Sequence, residues 1–343
     1  MNAPILDSPS PRAELVPARR DAPVAQPQRR SVLVAVDQSD EASNLVAHAT
    51  AIAGALRSDL MIAHVLDARR QTEGPSDPFE WAILQREALA RLEALCPSAD
   101  GEICVKLLQG PVTEACTRQA QDAGVDLIVA GTRCSTQTRL GMLGSTTQRL
   151  LERADASILL VPPGTAPLSA RPRPRLVVPL DGSTWSEAAL PMALRLARGS
   201  GADLVLVHCI TPPELPAMQP PEADDLKLAD TLVARARTRG ELYLARKCQM
   251  LADQGVKATP LILVAEDPRL AIADAVQRTR AAMVVVSARG LGASRLAALP
   301  YGHVTGWLAS NSLVPLLVVK PSRHRTRRSA RSAPASLDSR IRE

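Results

Sequence analysis

Two aspartates stand at matching places in this chain, each closing a short apolar run. The first run reads Val32-Leu-Val-Ala-Val-Asp37-Gln-Ser39 and the second Leu176-Val-Val-Pro-Leu-Asp181-Gly-Ser183. Further on, Gly131 ends another apolar run, and a polar loop leads from it to Gly144, Ser145 and Thr146 at the start of a helical pattern. Glycines in such a loop let backbone N–H groups approach an anion with no Cβ in the way. A helix start adds N–H donors and partial positive charge. Arg133 and Arg139 inside the loop could add charge. The chemistry this set could do is to hold phosphate. Each piece also has a reading that needs no ligand. Ser145 with Gln148 matches a capping box, Gly144 can simply end a loop, and Asp37 can cap a turn.

The elements that must position these residues are repeated. Asp37 and Asp181 are 144 apart, and so are His64 and His208, which close the next apolar runs, Asp59-Leu-Met-Ile-Ala-His64 and Asp203-Leu-Val-Leu-Val-His208. An unchanged offset across a strand, a helix and a second strand marks a duplication. The offset grows to 156 between Gly131 and Ser287. A longer helical stretch near 224–253 absorbs that growth. In the first copy, short aliphatic runs predict strands near 31–36, 59–65, 102–108, 126–130 and 157–161, with helices near 40–56, 78–95, 111–123 and 145–153. The second copy predicts strands near 175–180, 203–208, 257–264, 283–286 and 315–319. Near-continuous apolar strands alternating with helices suit a parallel sheet covered on both faces. Ligands of such sheets sit beyond the carboxyl ends of the strands.

The chain has 343 residues, 46% of them apolar and 22% charged, enough for two packed domains. The net charge of +6 is carried by the ends. Seven arginines in 322–343 face only Asp338 and Glu343, and five in 1–30 face Asp7, Glu14 and Asp21, which leaves the middle near neutral. A folded basic face for nucleic acid is therefore not expected, and three Trp, two Tyr and one Phe make no stacking platform. No run approaches a membrane span. Six cysteines form no CxxC pair and no metal-ligand spacing, which fits free thiols in a reducing cytoplasm. Both ends read as disordered tails, and the prolines of 162–174 read as a stiff linker.

The first-strand motif and the loop resemble the universal stress protein family, and the resemblance covers about residues 30–321. ATP-binding members of that family carry Gly-x2-Gly-x9-Gly-Ser/Thr. The first copy reads Gly131-x2-Cys134-x9-Gly144-Ser145, with Cys134 in place of the second glycine. The second copy keeps Gly290 but opens on Ser287, runs eleven residues to Gly302 and has His303 at the Ser/Thr position. Pro300-Tyr301 fits as its two-residue insertion.

What the resemblance implies is an α/β fold of two tandem doubly wound, Rossmann-like domains, each a five-stranded parallel sheet of order 3-2-1-4-5. The expected division is a tail over 1–29, domains over 30–163 and 175–321, a Pro-rich linker over 164–174 and an Arg-rich tail over 322–343. In this family fifth strands pair across a dimer axis. Here Ser157–Val161 and Pro315–Val319 are expected to do so within one chain, as an internal pseudo-dimer. The resemblance places Asp37 and backbone at Ala35, Val36 and Val65 at an adenosine, and Gly131, Arg133, Gly144, Ser145 and Thr146 at the phosphates of ATP with its Mg. Asp181 and Gly290 would form a weaker second site. The implied function is that of a cytoplasmic stress-response regulator with a protein partner and a homodimeric assembly open to it, with no catalytic residue. A nucleotide-free scaffold and an ATP-using enzyme of the wider adenine-nucleotide α-hydrolase-like group are the alternatives. The enzyme's HIGH, KMSKS and Ser-Gly-Gly-x-Asp-Ser signatures are absent from the sequence.

Overall fold

The computed structural model describes residues 30–66, 78–96, 103–132, 142–214, 222–291 and 300–321. Both tails, and the loop residues Arg133, Cys134 and Arg139, lie outside the described residues. The first copy runs β1 (Ser31–Val36), α1 (Ala42–Leu56), β2 (Asp59–Leu66), α2 (Pro78–Ala94), β3 (Ile103–Gln109), α3 (Val112–Asp122), β4 (Leu127–Gly131), α4 (Ser145–Arg153) and β5 (Ser157–Val161). The second runs β6 (Arg175–Pro179), α5 (Thr184–Glu187), α6 (Leu190–Ser200), β7 (Asp203–Ile210), α7 (Ala223–Ala252), β8 (Ala258–Val264), α8 (Pro268–Arg278), β9 (Met283–Ser287), α9 (His303–Asn311) and β10 (Leu316–Val319). Here α5 and α6 together stand where α1 stands in the first copy. Pro191 opens α6, and a proline suits a helix start because it has no N–H to satisfy there.

The strands form one ten-stranded sheet of order β3-β2-β1-β4-β5-β10-β9-β6-β7-β8. Each half follows the 3-2-1-4-5 order. Within each half all pairs are parallel, while β5 and β10 pair antiparallel through Leu160↔Leu316, Leu159↔Leu317 and Ile158↔Val318. The pairing of fifth strands therefore occurs inside one chain. It covers two apolar edges that would otherwise be open to association. Every residue of β5 and of β10 is buried.

Two cores lie on opposite faces of the sheet. One gathers α1, α2, α6 and α7 through Ile52, Leu92, Leu196 and Leu244. The other gathers α3, α4, α8 and α9 through Cys116, Leu150, Ile272 and Leu308. The first copy's α1 packs on the second copy's α6. At the closest point, a Cβ on Gly199 would lie 1.8 Å from the Ala55 carbonyl oxygen. Gly199 and Ala55 are 144 apart, so the copies meet at equivalent positions. Across the same junction, Lys320 Nζ donates to the Leu151 carbonyl (2.7 Å) and the Ala154 carbonyl at the end of α4, where a cation suits the helix dipole.

The segment 162–174 is more than a spacer. A short 3-10 turn at Leu168–Ala170 buries Leu168 in the core. His48 of α1 donates from Nε2 to the Thr165 carbonyl (2.9 Å), and the Gly164 N–H donates to Glu41 (3.4 Å). The linker is docked on the first helix.

Candidate functional site at the strand ends

β1 lies between β2 and β4, and β6 lies between β7 and β9. These are the places where strand order reverses, and clefts form there at the carboxyl ends. In the first copy the register pairs Val34 with Val129 and Val36 with His64. Asp37, Val65 and Gly131, just past those pairs, thus come to one end of the sheet. Asp37 is exposed. Its Oδ1 accepts from the Ser39 N–H (3.1 Å) and from the Ser39 hydroxyl, so it does cap the following turn. The Val36 carbonyl accepts from His64 Nδ1 at 2.8 Å. A carbonyl only accepts, so that nitrogen carries the proton.

The start of α4 departs from the capping box. Gly144, not Ser145, is the N-cap, and no side chain caps the helix. Gln148 instead donates to Glu152 (3.0 Å), one turn on. Ser145 is exposed, Thr146 is half-buried and Gly144 is buried. The loop is closed by bonds that the sequence did not announce. Gly144 N–H donates to the Thr132 carbonyl (2.9 Å), and the buried Thr147 hydroxyl donates to the Gly131 carbonyl (2.7 Å). Among the described residues, the first turn of α4 therefore begins with no side-chain acceptor over its N–H groups, beside the end of β4. Those donors suit an anion.

The second copy repeats this frame. His208 Nδ1 donates to the Leu180 carbonyl (2.7 Å), Gly302 N–H to the Ala288 carbonyl (2.8 Å) and the Thr305 hydroxyl to the Ser287 carbonyl (3.0 Å). Gly302 and Gly144 are 158 apart, as are Thr305 and Thr147. That shared offset was the signal by which the two threonines could have been found. His64 and His208 hold the carboxyl ends of β1 and of the β6 extension in place.

The contents of the two clefts differ. Asp181 Oδ1 accepts from the Ser183 N–H (2.9 Å) and hydroxyl (2.6 Å), and its Oδ2 accepts from the Leu291 N–H (2.7 Å). Partial burial pushes the Asp181 carboxyl up, but the bonds from Ser183, Leu291 and Ser186 outweigh it and hold the group below its ordinary value. A Cβ on Gly290 would lie 2.5 Å from Oδ2, and one on Gly302 would lie 3.9 Å from the Gly290 nitrogen. Asp181, Gly290 and Gly302 thus converge, and the start of the long loop sits on the carboxylate. Tyr301, from the inserted pair, packs against Gly306 of α9. Trp185 stands at the rim under the Arg289 guanidinium, 5.9 Å from its ring centre. Tyr243 of α7 donates to Glu187 (2.9 Å), Lys247 pairs with Glu187 (2.7 Å), and the Tyr243 ring meets His208 edge-on. That cluster ties α7 to α5 beside the cleft.

Among the described residues no group of His, Cys, Asp and Glu could hold a metal, and no helix is long and apolar enough to cross a membrane. Burial pushes the Cys116 thiol up to about 12, which marks it as a packing residue.

The universal stress protein family model matches residues 28–162 and again 172–320. A universal stress protein of Mycolicibacterium smegmatis is 25% identical over 84% of this chain and 97% of its own length. A universal stress protein of Thermus aquaticus is 33% identical over 38% of this chain and 98% of its own length. The crystal structure of a universal stress protein from Archaeoglobus fulgidus superposes with a TM-score of 0.58 at 18% identity, covering 85% of this chain and 99% of its own. That likeness bears on the fold.

Proposed function

Since this chain belongs to the universal stress protein family, we propose that it is a cytoplasmic regulatory module of the stress response that binds an adenine nucleotide in its first copy only. The observation that carries this reading is the state of the second cleft. There both oxygens of Asp181 are engaged by the chain's own donors, Ser183 on one and the Leu291 N–H on the other. A ligand hydroxyl at Asp181 would have to displace the Leu291 N–H. The first copy also has the shorter loop from Gly131 to Gly144.

On this reading Asp37 and backbone at Ala35, Val36 and Val65 take the adenosine, and Arg133, Gly131, Gly144, Ser145 and Thr146 take the phosphates. ATP would bring its own Mg, and the donors of α4 fit its anionic groups. The Val36 carbonyl already serves His64, so its contact to a base would be shared. No residue is given a catalytic role, and hydrolysis is not part of the proposal. A nucleotide-free scaffold is the second reading, and the occupied Asp181 favours it for the second copy.

Calorimetric titration of ATP tests both. The wild type should bind at one site. Gly144→Val should abolish binding, because a branched side chain bars the approach to the N–H groups, while Gly290→Val should leave it. Cys134→Gly should tighten binding roughly fivefold, about 1 kcal/mol, by restoring backbone freedom in the loop. Loss of binding in Gly290→Val but not in Gly144→Val would reverse the ranking of the copies. No binding in any of the four proteins would leave the scaffold reading.

A further inference from the structure

The N-terminal half of α7 carries no buried side chain. From Ala223 to Arg239 every residue is exposed or half-buried, and Gly240 is the first buried position. That is about 25 Å of helix. Its apolar positions continue the line of Gly240, which faces His208 and Ile262, past the last buried position, and Ala229, Val233 and Ala236 on that line are half-buried. Leu226, Ala229, Val233 and Ala236 recur at spacings of three and four and form one stripe, with Leu232 on its flank. Leu226 and Leu232 are 47% and 45% exposed. The spacing is that of a coiled-coil seam.

The charges say what the seam takes. Residues 222–230 hold Glu222, Asp224, Asp225 and Asp230 against Lys227 alone. Residues 231–239 hold Arg235, Arg237 and Arg239 and no carboxylate. None of these arginines has an ion-pair partner among the described residues. An acidic stretch followed by a basic stretch of the same length complements itself when two copies run antiparallel, and a two-fold interface requires such self-complementarity. At 100° per residue, Asp225 and Arg239 flank the stripe on one side, and Asp230 and Arg237 on the other. With the axis near Val233, Asp225 faces Arg239 of the second copy, and Asp230 faces its Arg237. A parallel pair would set like charges together. The fifth strands offer no competing route, since β5 and β10 are already paired within the chain.

We propose that the N-terminal half of α7 is a homodimerisation helix, which packs antiparallel on the same helix of a second copy. The experiment is sedimentation equilibrium of the full chain at about 50 µM. The wild type should be dimeric with a micromolar dissociation constant, and about 1 M salt should shift it toward monomer. Arg235→Glu, Arg237→Glu and Arg239→Glu together make the helix acidic throughout. Asp224→Lys, Asp225→Lys and Asp230→Lys together make it basic throughout. Each triple variant alone should be monomeric, and an equimolar mixture should recover the dimer. A monomeric wild type, triple variants that still dimerise alone, or a mixture that stays monomeric would each overturn the proposal. Should the triple variants lose helix by circular dichroism, Val233→Glu at the seam decides: a dimer that survives it overturns the proposal, and a monomer supports it.

Discussion

Arg57 and Arg280 each hold a φ of +51° just past a helix, a left-handed conformation that Gly201 and Gly124 supply at the same places in the other copy. Arg57 and Gly201 are 144 apart and Gly124 and Arg280 are 156 apart, the two offsets of the repeat. Each copy thus has one glycine and one arginine at equivalent turns. A side chain there costs about 1 kcal/mol. Both arginines are exposed and lose little packing on replacement. Arg57→Gly and Arg280→Gly should each stabilise the protein by about 0.5–1 kcal/mol in urea unfolding, and the two effects should add because the sites are independent. At this scale the sequence was legible wherever a residue's role follows from its place on an element. The places of Asp37, Gly131 and Gly144 on their elements were legible because strand ends and helix starts announce themselves. Ser145 was misread by one position, since its S-x-x-Q pattern does not say whether the serine is the cap or the first helical residue. Thr147 escaped notice because its partner carbonyl is sixteen residues away in sequence. Leu291 escaped because a backbone N–H on a carboxylate leaves no trace in residue type.

Among the elements, the crossing of α1 and α6 is the least forgiving. An alanine Cβ at Gly199 would stand 1.8 Å from backbone, which cannot turn aside as a side chain could. Gly199→Ala should force the helices apart and destabilise by about 2 kcal/mol or more, read as a fall in the urea midpoint. An unchanged midpoint would mean that α6 slides freely. The docked linker adds a dependence on pH. His48 is buried; burial holds its pKa below the ordinary 6.5, against the raising effect of its bond to the Thr165 carbonyl. Its Nδ1 is buried with no partner. Below about pH 6.5 the unfolded chain takes a proton that the native imidazole refuses, so stability falls as the pH drops. Below the native pKa that loss levels off. His48→Gln keeps a donor for Thr165 and should flatten the stability profile between pH 5 and 7, as seen by thermal melts in a buffer series. The strands were legible to within a residue or two, because aliphatic runs between turn residues have few other uses in an α/β protein. The division of the second copy's first helix into α5 and α6 was not foreseen. The docking of the linker was also hidden, because proline content reports stiffness and not what the segment rests against.

For the whole molecule, the decisive fact is that ten strands form one sheet. The β5–β10 pair, the α1–α6 crossing and Lys320 on the end of α4 all join the copies. Two domains so joined should unfold together. Calorimetry should give one transition, with its measured enthalpy equal to the van't Hoff value; two resolved transitions would show that the junction is weaker than the halves. The antiparallel junction has a further consequence. The strands of one half run opposite to those of the other, so their carboxyl ends emerge at opposite rims. Asp37 lies at one rim, and Asp181, held by the Leu291 N–H, lies at the other. On the proposed reading, a ligand entering at Asp37 would reshape only that rim and leave the far rim as a constant face. The chain would then be a polar object with one adjustable end and one fixed end, built from two halves that began alike.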